Sequence, residues 1–542
     1  MSVSRPQWSP RTFSCLLLTG GLALVAGCAT APGVRTGTPQ VAVAPDQWPT
    51  SAGTLSPVRE GCDVLGGASV PGGTFVFVLT EDVAPEHAPV PRNTSERIVF
   101  AHLYETLVNV DCAGTVTAGL ATNWTCTEDS TTWVFTLRAD ARFWDGTRVT
   151  AEDVRQAWTQ NQVDPASSES ASPWNWINAR ASSITVLDAR RLAVQLPEPQ
   201  ARFPLLLAHP AAAVSSRRTG WTWPVGSGPC RLRASDPAPH PEIDCRPNLN
   251  HPQAPAWKSL VFRVQGGADL RDFATAGFDL AVTRDLAAVD FFRAAPGFAA
   301  LALPWDRLYL LVCPPETNAA GAGRWLRAAD SLQINRDLPG VSARPWGHVM
   351  FPLDGGGQCP QLSGPVTSRR ATPLDSELEQ RSPDAFTIVY PAHDTAAGEL
   401  AGRLSHLAGE QTHTAGFGPT DFDLALEWQL AGALVVAQDL VFPTGCLQLA
   451  TLLGRAAWLQ QAGLNRADNS DLNQNLVQAD RLAAGRTTTP DKSLIATGTV
   501  RPLALTHRWL IARGRLAGLQ LDFDGTPRLG GLGRPAGPKE LP

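Results

Sequence analysis

Lysine is nearly absent from this chain: Lys258, Lys492 and Lys539 are the only three among 45 basic residues, and the rest are Arg. With 50 acidic residues, a net charge of -5 and 18% charged residues, the chain lacks the basic excess of a nucleic-acid groove, and nucleic acid is not expected as a partner. The Arg bias, together with 47 Gly and 45 Pro, reflects the composition of the coding gene and carries no function. Cysteine occurs ten times but never as CxxC, and that scatter argues against zinc. Neither a metal nor a cofactor is expected. No HExxH is present, the ten His are scattered, and Gly226-Ser227-Gly228 is not a GxSxG elbow. With no nucleophile, base and oxyanion donors in view, an extracytoplasmic hydrolase is the weakest of the functional readings, and the chain reads as a non-enzyme.

The apolar segment 15–26 is shorter than the ~20 residues a spanning helix needs. Preceded by Arg5 and Arg11, it reads instead as the apolar region of a signal peptide. It ends in Val25-Ala26-Gly27-Cys28, which resembles a lipobox, so residues 1–28 are expected to be a lipoprotein signal with Cys28 diacylated as the mature N-terminus. An ordinary signal peptide with an accidental Cys is the alternative. Two or three acyl chains anchor firmly where one holds marginally, which places the protein on the cell envelope, facing the periplasm or the exterior. Residues 29–61, rich in Pro, Thr, Ala and Gly without apolar periodicity, read as a flexible tether.

Export makes disulfides plausible for the eight Cys that remain after Cys15 and Cys28. Cys112 and Cys126 flank one strand-turn-strand stretch and Cys230 and Cys245 another, so these two local pairs are expected, each closing a loop of roughly 15 residues worth about 3 kcal/mol. Cys62, Cys313, Cys359 and Cys446 allow three pairings, which stay open.

At 542 residues there is room for more than one domain, and the chain is organised around residues 101–161. Leu103 to Val110 is a short apolar run, Thr132 to Arg138 alternates as a half-buried strand, and Asp145-Gly146 is a tight turn. Thr150 and Asp153 make a capping box ahead of a helix that repeats Val154, Ala157 and Trp158.

The order LYETL, GLATNW, TWVFTLR, FWDGTRVTAEDV resembles the family 5 extracellular solute-binding proteins, the peptide- and nickel-type receptors of bacterial ABC importers. The resemblance continues in Gly72-Gly73-Thr74 before a strand, in Val225-Gly226-Ser227-Gly228-Pro229 as a GTGPY-like turn, and in Phe422-Asp423-Leu424-Ala425-Leu426 as a YDLAL-like strand. Turns, a cap and strands perform no chemistry, so these signatures mark a fold.

The fold implied is α/β, a two-lobed periplasmic-binding-protein-like (type II) architecture with an inserted subdomain in the first lobe. Its expected bounds are 62–107, 207–304 and 503–535 for lobe I, 108–206 for the subdomain and 305–502 for lobe II. The function implied is capture of an organic solute, peptide-like or another small molecule, in an interlobe cleft by hinge closure, and its presentation to ABC permease subunits by a monomer. A ligand sensor or envelope interaction module on the same fold is the second reading. In favour of the second reading, Cys313-Pro314-Pro315 interrupts the family's hinge helix, and Gln429-Leu430-Ala431-Gly432 follows Trp428 where peptide-binding relatives carry an Asp for the peptide amine.

On this resemblance Trp428 is the leading pocket residue, with a core indole as its alternative. Trp305, Tyr309 and Trp346 near the hinge suggest an apolar or ring-bearing ligand. Arg92 and Asn93 lie on a loop that approaches the cleft in the family; solvated loop residues are the alternative. Arg284 and Asp285, at a strand end, either face the cleft or pair with each other on the surface. The indoles of Trp174 and Trp176 read as a plug on the subdomain surface.

Overall fold

The structure is a computed structural model that describes residues 63–160, 183–196, 203–232, 242–275, 277–314, 319–334, 343–345, 386–428, 431–442 and 500–535. Its backbone is an eleven-stranded sheet. In chain order the strands are Thr74–Leu79 (β1), Cys230–Arg231 (β2), Glu242–Pro247 (β3), Ser259–Val264 (β4), Leu280–Thr283 (β5), Phe298–Val312 (β6), Ala343–Pro345 (β7), Thr387–Pro391 (β8), His413–Phe417 (β9), Ala433–Asp439 (β10) and Val500–Arg513 (β11). In space they run β2-β3-β4-β1-β5-β11-β6-β10-β8-β9, with β7 also on β11.

β1 buries Phe75 and Phe77 on one face and Val78 on the other, the near-continuous apolar composition that a strand covered on both faces requires. It is accordingly central, with parallel partners β4 and β5 on its two sides. Two strands are far longer than the rest. β6 and β11 pair antiparallel from Phe298↔Arg513 to Val312↔Val500, and the register slips around Ala302, Trp305 and Arg307. Their outer neighbours change along their length. β11 pairs β5 through Trp509 to Ala512 and β7 through Ala504 to Thr506, while β6 pairs β10 only from Arg307 onward.

Those two strands also feed separate cores. Leu303 and Leu510 pack with Phe75, Phe77 and Leu103, whereas Tyr309, Leu311, Leu503 and Ala504 pack with Trp325, Ile388 and Leu400. Residues 302–308 of β6 and 504–509 of β11 therefore form a crossing between two packed bodies. A third passage follows β10, because Phe442 lies in the first core although Ala433 and Val435 lie in the second.

The signature block is a packing device, as its turns and caps imply. Ala121–Cys126, Thr132–Leu137, Arg191–Gln195 and Ser183–Val186 form a separate antiparallel sheet. Thr150 and Asp153 exchange the reciprocal bonds of a capping box: the Thr150 N–H donates to Asp153 Oδ2 at 2.8 Å and the Asp153 N–H to Thr150 Oγ1 at 3.3 Å. The Val225 to Pro229 turn lies on the end of the helix Thr94–Leu103. A Cβ on Gly226 would stand 2.0 Å from the Leu103 carbonyl oxygen, and one on Gly228 2.5 Å from that of His102, so only glycine fits either position.

Three expectations are corrected. The YDLAL-like stretch is no strand but part of the helix Pro419–Trp428, because Phe422, Ala425 and Leu426 are the buried positions and follow helical spacing. Cys112 is disulfide-bonded, but not to Cys126, which carries no disulfide; its partner lies outside the described residues. Cys230 and Cys245 are buried thiols without a bridge, since β2 and β3 set Cys230 opposite Pro247 and leave Cys245 only a diagonal neighbour. The segments with Cys28, Cys62, Cys359, Cys446, Trp174, Trp176 and Trp346 lie outside the described residues.

Candidate functional site

The crossing is where the two bodies meet, and charge is concentrated there. Arg284, just past β5, donates to Asp306 Oδ1 and Oδ2 at 3.0 and 2.7 Å and to Thr506 Oγ1 at 3.2 Å. Arg508 sets its Nε 2.6 Å from Asp306 Oδ2 and donates to the Asp524 carbonyl at 2.7 Å. Arg97, on the helix Thr94–Leu103, donates to Asp524 Oδ2 at 3.0 Å and reaches the Leu440 carbonyl at 3.4 Å. Arg307 donates to both oxygens of Asp439, at 2.5 and 3.1 Å, and to Asp394 Oδ2 at 2.8 Å. Four arginines thus meet the carboxylates of Asp306, Asp394, Asp439 and Asp524.

Sequence explains each placement locally. Arg307 and Asp439 are opposite one another in the β6–β10 register, so their side chains share a face. Asp394 is the N-cap of the helix Thr395–Ala408 and accepts from the Ala397 N–H, while its carboxylate also accepts from the Tyr309 hydroxyl at 2.8 and 2.9 Å. Burial opposes charge on Arg97 and Arg307, but facing carboxylates outweigh it and raise both above the usual guanidinium value. Burial likewise opposes the charge of Asp439, and Arg307, Arg284 and Arg97 together hold it well below the usual carboxylate range. Every guanidinium here acts as a fixed cation with a committed partner, a rigid connection of the kind that a hinge bends around.

Trp305, Tyr309 and Arg284 are brought together at the crossing. Trp305 is partly buried and meets the His507 ring edge-on at 4.8 Å, next to the slip in register. Tyr309 is fully buried in the second core and its hydroxyl is taken by Asp394, so it supports the site without lining it. Arg284 and Asp285 do not form the surface pair that was one alternative. Arg284 turns to Asp306, and Asp285 caps the helix Leu286–Ala294 through the Ala287 N–H.

Asn93 is a second correction of role. It is the N-cap of Thr94–Leu103, accepting from the Glu96 N–H at 2.8 Å and donating to the Asp82 carbonyl at 2.9 Å, which uses its amide for structure. Arg92 is exposed, and its N–H donates to Glu96 Oε2 at 2.7 Å. Trp428 ends a helix ahead of β10, so the strand end assigned to it belongs to Asp439, a carboxylate already held by Arg307. Sequence reasoning passed over Arg97, Arg307, Arg508, Asp394 and Asp524. The available signal was a pair of basic residues, Arg307 and Arg508, each next to an apolar run of its strand, since unpaired charges do not persist at such positions.

Two packed cores joined by long crossing strands define a two-lobed α/β fold. The model for the middle of the bacterial extracellular solute-binding proteins, family 5, matches residues 115–299. The periplasmic murein peptide-binding protein MppA of Escherichia coli is 35% identical over 194 residues, a match that spans 30% of this chain and only 35% of MppA. The solved structure of that murein tripeptide binding protein aligns with a TM-score of 0.62 at 16% identity, covering 86% of this chain and 99% of MppA. NikZ of Campylobacter jejuni, solved in complex with Ni(L-His), aligns with a TM-score of 0.61 at 14% identity over 86% of this chain and 100% of NikZ. Residues 115–299 therefore match the middle of family 5, and the described residues share the fold of these solved binding proteins.

Proposed function

We propose that this protein is the substrate-binding component of an ABC importer, tethered to the envelope by lipid on Cys28. It captures an organic solute between its lobes and presents it as a monomer to the permease subunits. The observation that carries the reading is the crossing itself: two long strands, irregular at Ala302 to Arg307, join two separate cores. Such a joint allows closure around a ligand while each body stays rigid. The relatives' ligands, a murein peptide and a nickel–histidine complex, both present amino-acid groups, which supports a peptide-like or similarly sized organic solute. Trp305, partly exposed at the joint, is the first residue to test for contact, and Trp428 and Trp346 are the further candidates.

The test is native mass spectrometry of soluble protein beginning after Cys28, purified gently and compared before and after denaturation. A retained organic mass, released on denaturation and lost in Trp305→Ala, is the expected result. Protein that is empty and shows no thermal shift with peptides, sugars or metal chelates overturns the reading.

A further inference from the structure

Arg284 and Arg508 join elements of the first core to the crossing strands, and Arg97 joins the first core to the passage after β10. Arg307 differs, because its three hydrogen bonds all go to carboxylates on elements of the second body, Asp439 at the end of β10 and Asp394 at the N-cap of the helix Thr395–Ala408. Asp439 grips its Nε and Nη2, Asp394 accepts from Nη1, and the Tyr309 hydroxyl fixes the far side of Asp394. Asp394 is held rigidly, with 5% of its side chain exposed, by the helix it caps. Asp439 stays 39% exposed at the end of β10, on the side where the chain passes toward the first core. An ordinary cross-strand ion pair has one carboxylate. Here two carboxylates and a hydroxyl are arranged around one planar cation, which is the geometry of a receptor for a guanidinium or ammonium group.

We propose that Arg307 is a specificity-determining residue: its guanidinium fills a cation subsite built from Asp394, Asp439 and the Tyr309 hydroxyl, and so bars cationic ligand groups from this end of the cleft. This rests on the solute-binding reading above. The solute accepted by the intact protein presents an uncharged or anionic group here, because a second cation would meet Arg307 with both carboxylates already committed. Arg97 and Arg284, which also act on Asp439, add to the exclusion.

Wild type, Arg307→Ala and Arg307→Gln are titrated with methylguanidinium chloride and with agmatine, against sodium chloride at equal ionic strength, by calorimetry and thermal shift. The expected result is saturable binding to the variants at least about tenfold tighter than to wild type, abolished when Asp439→Asn is added. Arg307→Gln keeps the length and polarity of the side chain and serves if Arg307→Ala does not fold. Saturable agmatine binding to wild type that Asp439→Asn removes overturns the proposal. So does a folded variant that binds neither cation. Methylguanidinium binding needs only the two carboxylates, so it is read independently of whether the protein retains a solute in mass spectrometry.

Discussion

Two guanidinium–carboxylate clusters can be compared directly. Arg138 donates to both oxygens of Glu105 at 2.8 Å, and His251 Nε2 completes the group 3.0 Å from Glu105 Oε1. Arg307 likewise grips both oxygens of Asp439. The first cluster is enclosed: the side chains of Arg138 and Glu105 are 9% and 10% exposed, and their strands and loops feed a single core. The second lies at the edge of the second body, beside the crossing, with 17% and 39% exposure. The same chemistry therefore serves cohesion in one place and a joint in the other. Enclosure, rather than bond count, separates the two uses.

Breaking the enclosed cluster has the largest expected effect. Burial opposes the charge of Glu105, but hydrogen bonds from His251 and Arg138 overcome it and hold the carboxyl below its ordinary value. Glu105→Ala leaves Arg138 buried without its main counterion, which costs about 3–5 kcal/mol. Urea denaturation should show the unfolding free energy falling by that amount, through a lower midpoint at an unchanged m-value. An effect below about 1 kcal/mol would place the cluster with exposed ion pairs and remove the contrast with the crossing.

How far each region was legible follows from the same distinction. Glu105 lies inside LYETL, and Gly226 and Gly228 inside a recognisable turn, because backbone oxygens 2.0 and 2.5 Å from a would-be Cβ leave no other residue possible. Steric constraint writes itself into local sequence. The apolar runs within β6, at Leu308 to Val312, and within β11, at Leu510 to Ala512, are local in the same sense. The partners of the crossing charges were not readable, because Arg97, Arg307, Arg508, Asp394 and Asp524 come from separate elements and meet only through register and long-range packing. The strand expected at Phe422 to Leu426 failed because a five-residue apolar stretch fits either period, and the helix with its buried Phe422, Ala425 and Leu426 decided it.

Acid sharpens the comparison further. Burial lowers His102 to about 4, with the Ile98 carbonyl partly restoring it; burial and Arg97 lower His209 to about 3; burial lowers His507 to about 4 despite Asp306. All three fold neutral while the unfolded chain titrates near the ordinary value of about 6.5, so between pH 6.5 and 4 the unfolded state binds more protons. Their contribution is intact above pH 6.5 and is lost as pH falls toward 4. His102 belongs to the enclosed region, where its Nε2 accepts from the Leu529 N–H at 3.1 Å, and His507 belongs to the crossing. Thermal midpoints measured from pH 7 to 4 should drop, and His102→Asn and His507→Asn should each flatten part of that slope. A flat wild-type profile would mean that these rings are hydrated.

The smallest contrast lies in two adjacent carboxylates of the helix Ala151–Gln160. Asp153 closes the capping box on Thr150, and its carboxylate satisfies an N–H that the helix cannot. Glu152 binds Arg155 and Gln156, and these bonds hold its pKa at about 2, yet both members of the Arg155 pair are 43% exposed. Solvent competes for an exposed pair in a way it cannot compete for a cap, so the depressed pKa of Glu152 does not translate into stability. Asp153→Ala should therefore cost about 1 kcal/mol, and Glu152→Ala should leave the denaturation midpoint unchanged. If the two substitutions proved equal, the number of hydrogen bonds would matter more than what they enclose, and the distinction drawn between Glu105 and Asp439 would lose its basis at the scale of a single helix turn.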